Sequence, residues 1–287
     1  MPIYIHLGQP KTGTSVLQNA LHKMSISGNA DFVYPKLWRQ TGVGHHQLAQ
    51  DLRTKSIHPN IVQLLNELID SHEHKPIIFS SEQFSNLIGP KFIGSLHGLI
   101  ESGKARTSLE TLIFFRRFDK FLDSMFLQSA RYGRVRVNPD EYAIERLSSI
   151  YQLFKHIKLT NEKFDGVIKY TPYAQGENIL NLFESSVPCA AGLSQISGLP
   201  RTEKFSLKQQ IFIFYSATLF GEKMSVDQVN KMVTGMREDA VRLDNDHTQY
   251  STISPKVAQI CQHMALASAE KFGMDDYLSA FDRDTEL

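Results

Sequence analysis

Apolar positions along this chain alternate between short continuous runs and longer helical repeats. Residues 3–8 form a short apolar run that breaks at Gly8 and predicts a strand. From Ser15 the period changes, and Val16, Leu17, Ala20, Leu21 and Met24 recur on one helical face. The chain therefore opens as strand, tight turn and helix. Residues 25–44, rich in Gly, Pro and polar side chains, read as irregular. A helical pattern through Leu48, Ala49 and Leu52 and a second over residues 61–69 follow. Residues 76–80 are a short buried strand that runs into Ser81 and Glu82.

Residues 92–102 read as helix, and residues 109–117 as a third strand ending in Arg116 and Arg117. Asp119 opens a helix with Phe121, Leu122, Met125 and Ala130 on its buried face. Pro139 starts another helix, expected to reach about Lys158, and residues 164–170 contain a fourth strand. Residues 177–184 are helical and residues 185–204 loop-like; three further helices are expected at 207–219, 226–240 and 255–271. Short strands alternating with helices predict an α/β fold with a central parallel sheet and a helical C-terminal region. The whole of 1–287 is expected to form one domain, with about 221–287 as a helical cap.

Composition narrows the function classes. The 287 residues are 41% hydrophobic and 21% charged, as in ordinary globular proteins. A net charge of +1 gives no broad basic field for nucleic acid. The two cysteines, Cys189 and Cys261, form no metal-binding pair, which fits a reducing compartment. The N-terminus enters a strand at once, and no apolar stretch has the length of a membrane span. A cytoplasmic protein is expected, and its oligomeric state is left open.

The turn Gly8-Gln9-Pro10-Lys11-Thr12-Gly13 carries the chemistry. A loop between a strand and a helix aims backbone N–H groups and the positive end of a helix dipole at whatever sits in the turn, which favours phosphate. Gly13 lets the backbone approach a ligand closely, Thr12, Thr14 and Ser15 add hydroxyls, and Lys11 adds a positive charge. Gly8 and Gly13 match the two glycines of the nucleotide-triphosphatase loop G-x-x-x-x-G-K-[ST], but Thr14 stands where its lysine belongs. The segment P-K-T-G-T-S resembles the 5′-phosphosulfate-binding loop of sulfotransferases, which use 3′-phosphoadenosine 5′-phosphosulfate (PAPS).

A second segment, F-F-R-R-F-D-K-F-L-D-S-M-F-L-Q, is similar to the 3′-phosphate-binding segment of the same family, an arginine after a strand and a serine on the next helix. Arg116 and Ser124 have that spacing. The planar fork of arginine suits a phosphate through parallel N–H bonds. Weaker landmarks of bacterial sulfotransferase-like proteins are Ser80–Glu82, Lys169–Tyr173 and Arg201–Leu207, and the likeness ends near Leu219. The resemblance implies a P-loop-type three-layer α/β sandwich. It also implies a donor site made by Pro10, Lys11, Thr12, Gly13, Thr14, Ser15, Arg116 and Ser124.

The implied reaction moves a sulfuryl group from PAPS to a hydroxyl or amine of an acceptor, a carbohydrate or small metabolite, and releases adenosine 3′,5′-bisphosphate. Charge builds on the leaving oxygen, where Lys11 and the Thr12–Ser15 amides would stabilise it. A sulfuryl group carries less charge than a phosphoryl group, so no metal is expected. Glu82, following a buried strand, is the first candidate for general base, with burial to raise its carboxyl, and His45 and His46 are its rivals. The competing readings are a P-loop kinase or nucleotidase, and a non-catalytic nucleotide-binding descendant of the sulfotransferase fold.

Overall fold

The first strand, β1, is Pro2–Leu7; β2 is Ile77–Ser81, β3 is Ser108–Arg116 and β4 is Ile168–Tyr173. All pair in parallel in the order β2-β1-β3-β4. In register, Leu7 stands opposite Ser81 on one side and Ile113 on the other, and Arg116 stands opposite Tyr173. Every residue of β2 is buried, which is why these strands read as continuous apolar runs: a parallel sheet is covered on both faces. The computed structural model describes residues 1–9, 12–39, 42–53, 59–72, 74–87, 89, 92–94, 96, 108–131, 135, 137–173, 177–199 and 251–281.

The described helices are α1 (Thr14–Ile26), α2 (His46–Arg53), α3 (Pro59–Ser71), α4 (Phe118–Arg131) and α5 (Pro139–Glu145). They continue with α6 (Leu147–Lys163), α7 (Ile179–Ser186), α8 (Pro255–Phe272) and α9 (Asp275–Phe281). Among the described residues no helix is long and apolar enough to cross a membrane. Packing divides the chain into two compact units. One takes Met1–Arg116, Leu153–Arg201 and Phe272–Leu287; the other takes Arg117–Gln152 and Thr202–Lys271.

In the first unit, alternation along the strands sends side chains to opposite faces. Tyr4, Ile78, Leu112 and Phe114 pack against Leu17, Leu21 and Met24 of α1 and Ile179, Leu180 and Phe183 of α7. On the other face Phe115 meets Phe154 of α6 at 5.6 Å and Tyr277 of α9 at 6.2 Å between ring centroids. Helices on both faces of the sheet make three layers. Each fully buried aromatic or aliphatic side chain contributes about 1.5–3 kcal/mol.

In the second unit, Phe126, Leu127, Ala130, Val135 and Tyr142 form a cluster between α4 and α5. Asn138 caps α5 by accepting the Glu141 N–H at 2.9 Å, and the Glu141 carboxylate accepts the Asn138 N–H at 3.3 Å. The chain entering α8 is held by two carboxylates: Asp123 accepts from the Thr252 N–H at 2.7 Å and from its hydroxyl, and Asp140 accepts the Ser254 N–H at 2.8 Å. Burial raises the Asp123 pKa, and the Thr252 hydrogen bonds oppose that rise.

Three local departures from the sequence reading have physical causes. The helix expected from Pro139 to about Lys158 is two helices, α5 and α6, broken at Arg146 (φ −101°, ψ 1°), whose guanidinium lies 3.5 Å from the centre of the Tyr142 ring. The fourth strand takes only the end of the 164–170 stretch and runs on to Tyr173, because Asp165 and Gly166 take left-handed conformations (φ 48° and 70°) that close α6. Asn161 then fixes the strand's start, accepting from Ile168 N–H at 2.8 Å and donating to its carbonyl at 2.9 Å. Helix α9 falls within the expected helical cap but has no separate counterpart in the sequence reading, being a single short element carried by Tyr277 and Phe281. The expected helices at 207–219 and 226–240, Arg201, Lys204 and most of the helix at 92–102 lie outside the described residues, as do 221–250 of the expected cap.

Candidate functional site

The connection from β1 to α1 is built on two close approaches. Gly8 N–H donates to the Ser81 carbonyl at 3.1 Å, extending the strand pairing by one residue. A Cβ on Gly8 would lie 2.6 Å from the Thr14 methyl and 3.2 Å from the Glu82 Cα, so no side chain fits there. Gly13 caps α1 in the left-handed region (φ 77°, ψ 14°), and a Cβ there would meet the Ile179 methyl at 3.0 Å. The Gly13 carbonyl accepts the N–H groups of Val16 at 2.9 Å and Leu17 at 3.1 Å. The N–H groups of Gly13, Thr14 and Ser15 have no hydrogen-bond partner among the described residues. The first turn of α1 holds no acidic side chain, so the positive end of its dipole is uncompensated there.

The threonine hydroxyls turn inward. Thr12 donates its hydroxyl proton to the Gln9 carbonyl at 2.7 Å and Thr14 donates to the same oxygen at 3.4 Å. Both side chains are buried, so they brace the loop, and the donors left for an anion are the amides. Ser15 is exposed. Pro10 and Lys11 lie outside the described residues.

Strand order places this loop where a ligand crevice is expected. The chain leaving β1 next joins the sheet at β2, on one side; the chain leaving β3 next joins at β4, on the other. Ligands of open α/β sheets bind beyond the carboxyl ends of strands at such a reversal. The two strand ends are tied together: the Gln9 side chain accepts the Arg116 backbone N–H at 3.2 Å through Oε1. Arg116 is half-buried and electrostatically close to Tyr173, whose pKa is raised by burial and pulled back by the guanidinium. Arg117 instead forks onto Asp119, with Nε and Nη2 each 2.8 Å from a carboxylate oxygen. Ser124 lies part-buried on α4 in the second unit.

The three candidate bases differ sharply. His45 is fully buried, donates from Nε2 to the Pro35 carbonyl at 3.0 Å and accepts the Ser80 N–H on Nδ1 at 3.1 Å. Burial lowers its pKa to about 4. Both nitrogens are occupied, so His45 fastens the Pro35 segment to β2, and neither nitrogen is left for a proton from a ligand. His46 opens α2, is half-buried, and holds Nδ1 at 2.8 Å from the Ser81 hydroxyl, which also accepts the Gln83 N–H at 3.1 Å. Glu82 directly follows β2 but is exposed; it makes no side-chain hydrogen bond or ion pair with a described residue. The burial expected to tune it is lacking because the chain turns outward into the 3₁₀ segment Glu82–Leu87.

Two functional neighbours escaped the sequence reading. His6 of β1 is fully buried, hydrogen-bonded to the Ser80 hydroxyl at 2.8 Å, and burial lowers its pKa to about 3. The Gln18 amide of α1 joins the same oxygen at 3.4 Å and the Ser80 carbonyl at 3.3 Å. The signal was a histidine inside an otherwise apolar run, which marks a buried polar contact. Gln9 is the other: its side chain is 3% exposed, and its Nε2 has no hydrogen-bond partner among the described residues. Among the described residues no group of three or more His, Cys, Asp or Glu side chains is placed to hold a metal ion. The Arg131, Arg134 and Arg136 side chains lie outside the described set.

No protein-family model matches the chain, and no curated protein matches it. Among solved structures, the crystal structure of retinol dehydratase in a complex with retinol and PAP is similar at 11% identity and a TM-score of 0.28. The match covers 100% of this chain and 82% of that one.

Proposed function

We propose that this protein is a sulfotransferase that moves a sulfuryl group from PAPS to a hydroxyl or amine of a carbohydrate or small metabolite. One observation carries the reading: the N–H groups of Gly13, Thr14 and Ser15, without partners among the described residues, at a strand reversal beside a strand that ends in Arg116. Those amides and the α1 dipole fit a 5′-phosphate, and Arg116 fits a 3′-phosphate. PAPS supplies the sulfuryl group and leaves as adenosine 3′,5′-bisphosphate.

In this reading, the amides bind and orient the 5′ anion and, with Lys11, stabilise the negative charge that grows on its oxygen. Lys11 enters from the sequence alone, as does Ser124 as a second ligand of the 3′-phosphate. His46 takes the acceptor proton on Nε2. The Ser81 hydroxyl at Nδ1 supports this choice over Glu82, because a base needs an orienting partner and Glu82 has none among the described residues. The imidazole keeps Nε2 as acceptor when Nδ1–H donates to Ser81.

The test is turnover of PAPS with a panel of hydroxylated metabolites and oligosaccharides, followed by mass spectrometry for a sulfated product. Lys11→Ala should lower turnover on the order of a hundredfold while donor affinity changes little, since the leaving oxygen gains its charge in the transition state. Stabilisation by Mg-ATP and not by adenosine 3′,5′-bisphosphate in a thermal-shift assay would sink the reading.

A further inference from the structure

The two ends of the Gln9 amide stand differently. Oε1 accepts the Arg116 N–H at 3.2 Å, which settles which end is oxygen, because the reverse would bring two donors together. Nε2 is buried and has no hydrogen-bond partner among the described residues. The Gln9 carbonyl accepts from Thr12 N–H at 3.4 Å and from both threonine hydroxyls. One residue thus joins the loop after β1 to the end of β3. A buried donor left unpaired is uncommon in folded proteins, and a bound group is one of the few things that account for it. The N–H groups of Gly13, Thr14 and Ser15, also without described partners, follow in the same loop.

We propose that Gln9 determines the ligand specificity of this site: it fixes the Arg116 backbone against the anion loop and presents Nε2 to the ligand, so that a nucleotide with both 3′ and 5′ anions is preferred over one with a 5′ anion alone. The proposal rests on the donor-site reading above, in which the loop takes the 5′ anion and Arg116 the 3′ anion. Gln9 is a positioning residue toward Arg116, acting through Oε1, and a binding residue toward the ligand, acting through Nε2. Without Oε1 the Arg116 N–H loses its acceptor and the end of β3 is free to shift against the loop. A guanidinium fork bonds two oxygens only within a narrow geometry, so a small shift weakens the second anion and spares the first.

Calorimetry with adenosine 3′,5′-bisphosphate and adenosine 5′-monophosphate tests this on the full chain, its Gln9→Met variant and its Gln9→Glu variant, each with a thermal midpoint. Met keeps the length of Gln and lacks both amide ends. The unmutated protein should prefer the bisphosphate by about tenfold or more, and Gln9→Met should cut that preference to about threefold or less, through loss of bisphosphate affinity. Gln9→Glu keeps an acceptor for the Arg116 N–H, and a carboxylate in place of the Nε2 donor should weaken both ligands, whatever its buried charge costs in thermal midpoint. A Gln9→Met protein that melts earlier yet keeps the preference makes Gln9 a brace only and overturns the proposal. If Gln9→Met does not fold, unchanged affinities in Gln9→Glu overturn it equally. An unmutated protein with no preference overturns the donor-site reading itself, a different result from a preference that survives the loss of Gln9.

Discussion

Gln9 Oε1 and the Arg116 N–H, 107 positions apart in sequence, are 3.2 Å apart in space. This bond crosses from the loop after β1 to the last residue of β3, two strands that neighbour each other and whose connections diverge. It gives the loop between β1 and α1 a fixed reference in the sheet. The same residue's carbonyl gathers Thr12 and Thr14, so the loop's shape and its distance from β3 depend on one side chain and its own backbone.

The loop's conformation should be intolerant of a Cβ at Gly13. Its φ of 77° is left-handed, and an added Cβ would come within 3.0 Å of the Ile179 methyl. Gly13→Ala should cost about 1–2 kcal/mol of stability from the backbone alone. It should also abolish binding of adenosine 3′,5′-bisphosphate, since the Gly13–Ser15 amides must move. Urea unfolding and calorimetry on the variant check both. Unaltered binding would mean that the amides do not form the anion site.

What could be read from the sequence follows from how local each cause is. Gly8, Gly13 and the change of period at Ser15 are neighbours in the chain, so strand, turn and helix were legible there. The α/β class was legible for the same reason: each buried strand is one short apolar run. His45 and His46 were not separable, because adjacent residues at a helix start carry no sign of which is buried. Their partners, Pro35 and Ser80 for one and Ser81 for the other, arrive only through tertiary pairing. Where within residues 164–170 the fourth strand starts was not legible, because Asp165 adopts a left-handed conformation that its residue type does not demand.

Stability should fall as pH drops from about 6.5 toward 4. His6 and His45 are buried and neutral, with pKa values lowered by burial to about 3 and about 4. Between those values and the ordinary one of about 6.5, the unfolded chain binds protons that the folded chain does not. The sign is therefore destabilisation on acidification, with each histidine contributing up to about 1.4 kcal/mol per pH unit. Urea midpoints between about pH 7 and pH 5 measure the slope. His45→Gln should flatten it by removing one of the two groups, and a variant with an undiminished slope would show that His45 is not the buried neutral group described.

Under the proposed reading, turnover should depend on His46 and not on Glu82 or His45. His46→Gln should lower kcat by about a hundredfold to ten-thousandfold. Glu82→Gln should stay within about tenfold of the unmutated protein, since an exposed carboxylate with no orienting partner among the described residues contributes little. Ser81→Ala should reproduce part of the His46 effect by freeing the ring while leaving donor affinity intact. Loss of activity in Glu82→Gln with His46→Gln near normal would exchange the two roles.

Arg116 should make the site selective for a second anion. β3 ends at this residue, and the Gln9 amide fastens its backbone beside the loop. If the loop amides take one anion, as proposed, a guanidinium at the neighbouring strand end fits a ligand that carries a second. Charge-assisted hydrogen bonds contribute about 1.5–3 kcal/mol each. Adenosine 3′,5′-bisphosphate should therefore bind at least about tenfold more tightly than adenosine 5′-monophosphate, since about 1.4 kcal/mol is one decade. Arg116→Ala should erase most of that preference and leave 5′-monophosphate affinity within about threefold, because the loop amides are untouched. Arg116→Lys should recover only part of it, since an ammonium lacks the planar fork. Calorimetry on both ligands with the three proteins measures each step. A preference that survives in Arg116→Ala would move the 3′ anion away from this strand end and leave the divergence of β1 and β3 without its second ligand group.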